Sequence, residues 1–215
     1  IIETCLARVV SEAGLRQLHI AETEKYAHVS FFFNGMKEEA YPLEERVIIP
    51  SPAVSTYDLA PEMSVQAVTD RLVKEILAQS FDFIVANFAN PDMVGHTGNE
   101  EATIKACEVV DRCIGQLADA ILASGGALLI TADHGNAEEV QNIATGEMDK
   151  EHSTNPVPCV IIATSLEGQK ASTGDVIGGD LSFTPPSGML GDVAPTVCAL
   201  LGIAPSPDMT GRPLI

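Results

Sequence analysis

Two stretches rich in metal-ligand side chains follow apolar runs in this 215-residue chain. Asn90-Pro91-Asp92-Met93-Val94-Gly95-His96 comes after Phe81–Phe88, and Asp133-His134-Gly135-Asn136 comes after Ala127–Ala132. An aspartate and a histidine four residues apart can turn toward one centre, and an adjacent Asp-His pair leaving a strand can grip another. Hard carboxylate and borderline imidazole together suit Mn2+ or Zn2+. A third segment, Glu151-His152-Ser153-Thr154-Asn155-Pro156, precedes the apolar run from Val157, so His152 could be a further ligand. Each motif alone also reads as a turn with a solvated ring. Together they weigh more, because two carboxylates about 4 Å apart at an effective dielectric near 20 repel by ~4 kcal/mol and call for a cation. Ala21-Glu22-Thr23-Glu24-Lys25-Tyr26-Ala27-His28 has two readings as well: a solvated charged loop, or a lysine placed to bind an oxyanion. His19 and His28 lack the strand-end context and read as structural.

These residues need a scaffold, and helical and strand-like segments alternate along the chain. That alternation argues for an α/β layer fold with a mainly parallel sheet, whose ligand sites lie beyond the carboxyl ends of its strands. Ile2–Glu12 reads as a helix closed by Ala13-Gly14, with strands at Leu18–Ala21 and Val47–Ile49. Ser64–Ser80 reads as a helix with Val65, Val68, Leu72 and Ile76 on one face. Phe81–Phe88 is a strand. Asn99–Ser124 is the clearest helix: Cys107, Val110, Ile114, Leu117 and Ile121 form an apolar stripe, Asn99 is a candidate N-cap, and Gly125-Gly126 stops it. Ala127–Ala132 and Val157–Thr164 are further buried strands, and a last helix runs from Asp192 to Leu201. Tyr26–Phe33 fits strand or helix equally, with Gly35 where a helix cap would stand.

Composition excludes several functions. Thirty acidic residues against twelve basic ones give a formal charge of −18. Such a chain repels polyanions, which makes nucleic acid and anionic membrane poor partners. No apolar run approaches the ~20 residues of a transmembrane helix. Five cysteines (Cys5, Cys107, Cys113, Cys159 and Cys198) show no C-x-x-C pair and sit among apolar neighbours, as expected of buried free thiols in the cytoplasm.

The segments "AETEKYAHVSFFFNG", "VIIPSPAVSTYDLAPEMS", "NFANPDMVGHTGN", "LLITADHGNAE" and "HSTNPVP", in this order, resemble the cofactor-independent (2,3-bisphosphoglycerate-independent) phosphoglycerate mutase family. The closing "GDVAPTVCALLGIAPSPDMTGRPLI" resembles the last segment of the wider alkaline phosphatase-like superfamily. Ser30 and Met36 stand where the family often has Thr and Gly. The resemblance implies an alkaline phosphatase-like three-layer sandwich, incomplete because an N-terminal piece is absent, with residues 1–215 as the C-terminal portion of the metal-binding phosphatase domain. It makes Asp92, His96 and His152 ligands of one ion, and Asp133 and His134 ligands of a second. Lys25 would meet the phosphoryl group. The expected cofactor is Mn2+, two ions in the intact enzyme, with Mg2+ or Co2+ as alternatives. The implied activity is isomerisation of 3-phosphoglycerate and 2-phosphoglycerate through a phosphoserine, by a monomeric parent enzyme of glycolysis. No segment matches the family's serine nucleophile or its arginine-rich insert, so the chain alone is expected to be inactive. Other readings are a phosphopentomutase, a metal-dependent phosphohydrolase of the same superfamily, or a non-catalytic metal-binding module.

Overall fold

The described strands are β1 (Gln17–Glu22), β2 (Glu44–Ile49), β3 (Phe83–Asn87), β4 (Ala127–Thr131) and β5 (Cys159–Ala163). The α-helices are α1 (Leu6–Glu12), α2 (Val65–Leu77), α3 (Asn90–Gly95), α4 (Glu100–Ser124) and α5 (Val193–Leu201). These bounds come from a computed structural model that describes residues 2–141, 146, 148–169 and 185–215. β1 is central in a parallel sheet of order β2-β1-β3, in which Ala21 pairs with both Ile48 and Asn87.

Every residue of β1 is buried, because helices cover both of its faces. On one face Leu18 and Ile20 pack with Val68, Leu72 and Ile76 of α2 and with Leu117 and Ala120 of α4. Burying side chains of this size stabilises by about 1.5–3 kcal/mol each. On the other face the Gln17 amide donates to the Ala7 carbonyl of α1 at 2.9 Å. The His19 ring lies between the Val29 carbonyl at 2.7 Å and the Gln17 side-chain oxygen at 2.9 Å, edge-on to Phe33. Leu6 and Val10 of α1 and Cys198 of α5 complete that side. Helices, sheet and helices make the three expected layers.

The parallel expectation holds for β1, β2 and β3 but fails at the end of the sheet. β4 and β5 form a separate antiparallel pair, with Thr131 opposite Cys159. A parallel return needs a crossover, usually a helix. Among the described residues between Thr131 and Cys159 there is only the 3-10 turn Ala137–Glu139.

The helices carry other lessons. α2 buries Val65, Val68, Leu72 and Ile76 as their spacing requires. In α4 the Asn99 side chain accepts from the Ala102 N–H at 3.1 Å, and Gly125 closes the helix at φ +73°. Its buried residues, however, are Ala102, Thr103, Ala106, Cys113, Leu117 and Ala120. The face is rotated from the expected stripe because α2 and α3 pack against small side chains, which leaves Cys107 exposed and Val110 and Ile114 half-covered. Hence the thiol expectation is corrected: Cys113 and Cys198 are buried, Cys5 is half-buried, and Cys107 and Cys159 are exposed, all five unpaired. The first helix begins at Leu6 rather than Ile2. Tyr26–Phe33 is helical, with a π turn at His28–Phe32. It ends at Gly35 and Met36, both in the left-handed region, and a Cβ at Gly35 would strike the Ile2 carbonyl. No described helix is long and apolar enough to cross a membrane.

Candidate metal centre

β1 and β3 run in the same direction, so the segments leaving both strands reach one rim of the sheet. After β1 the chain makes a 3-10 turn, Thr23–Lys25, which buries Lys25. After β3 it enters α3, with Pro91 in the first turn where a missing N–H costs little. Asp92 lies in that first turn and His96 at the C-cap, one helical turn apart on one face. The antiparallel pairing of β4 and β5 supplies the rest. Because Thr131 faces Cys159, the segment before β5 lies at the exit of β4, and Gly135 bridges to Ser153. His152 therefore joins a site built from strand exits, although its own strand runs the other way.

Three donor atoms converge. Asp92 Oδ1 is 3.2 Å from His96 Nε2 and 3.2 Å from His152 Nε2, and the two ring nitrogens are 3.1 Å apart. Neighbouring donors on an octahedral ion with bonds of about 2.1 Å are separated by ~3 Å, so this triangle has the size of one face of such a site. The protonation geometry fits too. The other nitrogen of His96, Nδ1, lies 2.6 Å from the Lys150 carbonyl. A carbonyl only accepts, so Nδ1 donates there, which leaves Nε2, on the side of Asp92 and His152, as the atom that would meet an ion. A second-sphere acceptor that fixes the tautomer in this way is the usual partner of a metal-bound imidazole. Among the described residues these three could hold a metal ion.

Asp133 and His134 lie beside this triangle rather than in it. His134 Nε2 is 3.6 Å from Asp133 Oδ2, and the His134 ring stacks on His152 with centroids 3.6 Å apart and an interplanar angle of 16°. The Lys25 ammonium meets Asp92 Oδ2 at 2.5 Å. The loop reading of Lys25 as a solvated charge is thus corrected, whereas Glu24 is exposed and accepts from the Tyr57 hydroxyl at 2.8 Å. Burial raises the Asp92 carboxyl, but the Lys25 hydrogen bond and charge, with His96 and His134 nearby, outweigh it and hold the group below its ordinary range.

Sequence reasoning passed over several contributors. Asn136 is buried, and its amide donates to Asp92 Oδ1 at 3.1 Å. Its approach requires Gly95, whose Cβ would collide with the Asn136 side chain. The place of Asn136 directly after Asp-His-Gly was the available signal. His28, read as purely structural, lies near the same charges: burial and Lys25 lower its pKa, while Asp133 and Asp92 oppose them. No spacing in the sequence announces that position.

A triangle of donor atoms that could hold a metal, at the strand exits of a three-layer α/β fold, points to a class of protein, and the chain belongs to it: residues 2–205 match the Metalloenzyme superfamily. Within that class it is similar to 2,3-bisphosphoglycerate-independent phosphoglycerate mutases. It is 53% identical over 210 residues to that of Chloroflexus aurantiacus and 51% over 210 residues to that of Synechococcus sp., covering 98% of this chain in each case. It is 49% identical over 214 residues to that of Clostridium beijerinckii. The chain spans 37–39% of the length of these relatives. Its structure is similar to that of a Leishmania mexicana phosphoglycerate mutase studied at low cobalt concentration, with a TM-score of 0.79 and 28% identity over 94% of this chain and 38% of the other.

Proposed function

We propose that this chain is the metal-holding part of a cofactor-independent phosphoglycerate mutase, the C-terminal portion of its phosphatase-like domain. The observation that carries the reading is the convergence of Asp92, His96 and His152, with Lys25 and Asp133-His134 at the same rim. Asp92, His96 and His152 hold one divalent ion, Mn2+ by preference, and Asp133 with His134 contribute to a second. Bound there, such ions stabilise negative charge on a transferring phosphoryl group and acidify a nucleophilic hydroxyl. The chain's own residues do the rest. Lys25 presents an ammonium to a phosphoryl oxygen of phosphoglycerate. Asn136 and the Lys150 carbonyl hold the ligands in their metal-ready form. No serine in these 215 residues matches the family's nucleophile, so the phosphoserine step belongs to the parent enzyme. The unpaired cysteines support a reducing, cytoplasmic setting.

A thermal melt across a Mn2+ titration tests this. Free ion at a hundredfold its dissociation constant adds ~2.7 kcal/mol, or about 5–10 °C for a chain of this size. His152→Ala should lose most of that shift and Asp133→Asn less. An equal shift in wild type and His152→Ala removes His152 from the site. In an enolase-coupled assay the chain alone should not interconvert 3-phosphoglycerate and 2-phosphoglycerate, and turnover surviving a contamination control would refute the division of labour.

A further inference from the structure

His152 sits on an irregular segment, so something outside the metal triangle must fix its distance from Asp92 and His96. One carboxylate joins that segment to the β4 exit. Glu138 Oε1 accepts from the Ser153 hydroxyl and from the Asn155 amide at 3.1 Å, while Oε2 accepts from the backbone N–H of Asn136 at 2.7 Å. The same two stretches are tied again by the Ser153 N–H, which donates to the Gly135 carbonyl at 2.9 Å. The junction is tight. A Cβ at Gly135 would collide with both the Glu138 carboxylate and the Ser153 hydroxyl. Asn155 also reaches Glu139 at 3.1 Å, so the acidic turn grips the His152 segment through two carboxylates. Burial raises the Glu138 carboxyl, but the hydrogen bonds from Ser153, Asn155 and the Asn136 backbone prevail and keep it lowered.

We infer that Glu138 is a positioning residue for the metal centre: it clamps Ser153 and Asn155 to the β4 exit and so holds His152 at coordinating distance from Asp92 and His96. The inference rests on the metal reading above, and it explains why a turn of two acidic residues sits beside a cation site without providing a ligand. A ligand that must be ordered at the moment of binding gives a weaker site than one held in place, and loss of such an outer partner costs 10- to 100-fold in metal affinity.

The test is a double-mutant cycle on the 215-residue chain, read by calorimetric titration with Mn2+ alone. Glu138→Ala should weaken the tighter site 10- to 100-fold in the wild-type background. In the His152→Ala background the same change should cost less than about twofold, because the residue through which Glu138 acts is already gone. A purely structural role predicts equal losses in both backgrounds, and that result overturns the inference, as does no loss in either. Where Glu138→Ala fails to fold, Ser153→Ala removes the bridging hydroxyl while leaving the charge, and it must show the same dependence on His152. If the unaltered chain binds no Mn2+ the metal reading itself falls, whereas binding with equal losses removes only the role of Glu138.

Discussion

Of β1 and β4, the more polar strand is the better covered. β1 includes Gln17, His19 and Glu22, yet all six of its residues are buried, while β4 reads Ala127-Leu128-Leu129-Ile130-Thr131 and none of its residues is fully buried. In β5, Val160 is exposed and Ile161 and Ile162 are half-buried. Burial here follows the layers, not the residues. β1 lies between α1 and the His28–Phe32 turn on one side and α2 and α4 on the other, and its polar groups are tolerated because each finds a partner. β4 and β5 have the continuous apolar character of strands enclosed on both faces, but the described residues give them α4 on one side.

That contrast predicts unequal costs for the same change. Ile20→Ala, at a fully buried position in β1, should cost about 2–5 kcal/mol, while Ile130→Ala in β4 should cost ~1 kcal/mol, as urea denaturation would show. Equal costs would mean that β4 is as enclosed as β1 in solution, and the comparison would fail.

The polar side of the buried sheet gives a second, smaller effect. Burial raises the Glu22 carboxyl despite hydrogen bonds from Ser51 and the Ser64 backbone, with Glu24 adding to the rise. A carboxyl raised in the folded state contributes its full stability below the ordinary glutamate range of about 4.3 and loses it as pH climbs through the folded value. Glu22→Gln is neutral throughout, so its stability and Tm should gain on wild type as pH climbs above about 4.3. A difference that stays flat with pH would show that the Glu22 charge is accommodated without cost.

The smallest effect sharpens the same point at the edge of the helical layer. Met36 adopts φ +68° with its side chain half exposed, so it stores left-handed strain with little packing in return. Met36→Gly should stabilise by about 0.5 kcal/mol, the relief of strain exceeding the added chain entropy. No change in Tm, or a fall, would show that the methionine packing outweighs the strain.

These cases also mark what the sequence could convey. The α2 face and the Asn99 cap were legible because each is a local pattern with one physical solution, whereas the four-residue step from Asp92 to His96 suggested a shared centre without announcing the helix α3 that carries it. The left-handed backbone at Met36 agrees with the glycine usual at that position in the resembling family. The antiparallel turn of β5 was not legible, since an apolar run carries no direction, and yet that turn brings His152 to the site. Burial of Lys25 was hidden because its partner, Asp92, is distant in sequence. Nothing in the sequence marks Glu138, for the Ser153 hydroxyl and the Asn155 amide that hold it lie on another segment.

The stacked pair of His134 and His152 gives the site a built-in reporter. Two imidazoles lying 3.6 Å apart and nearly parallel each place the other's ring protons in the shielding zone above a circulating π system. Their carbon-bound protons should therefore resonate upfield of those on an unstacked histidine, and they should move downfield together if the two loops part. A one-dimensional proton spectrum in D2O thus reads the separation of the β4 exit from the segment before β5, with no label and no change to the chain.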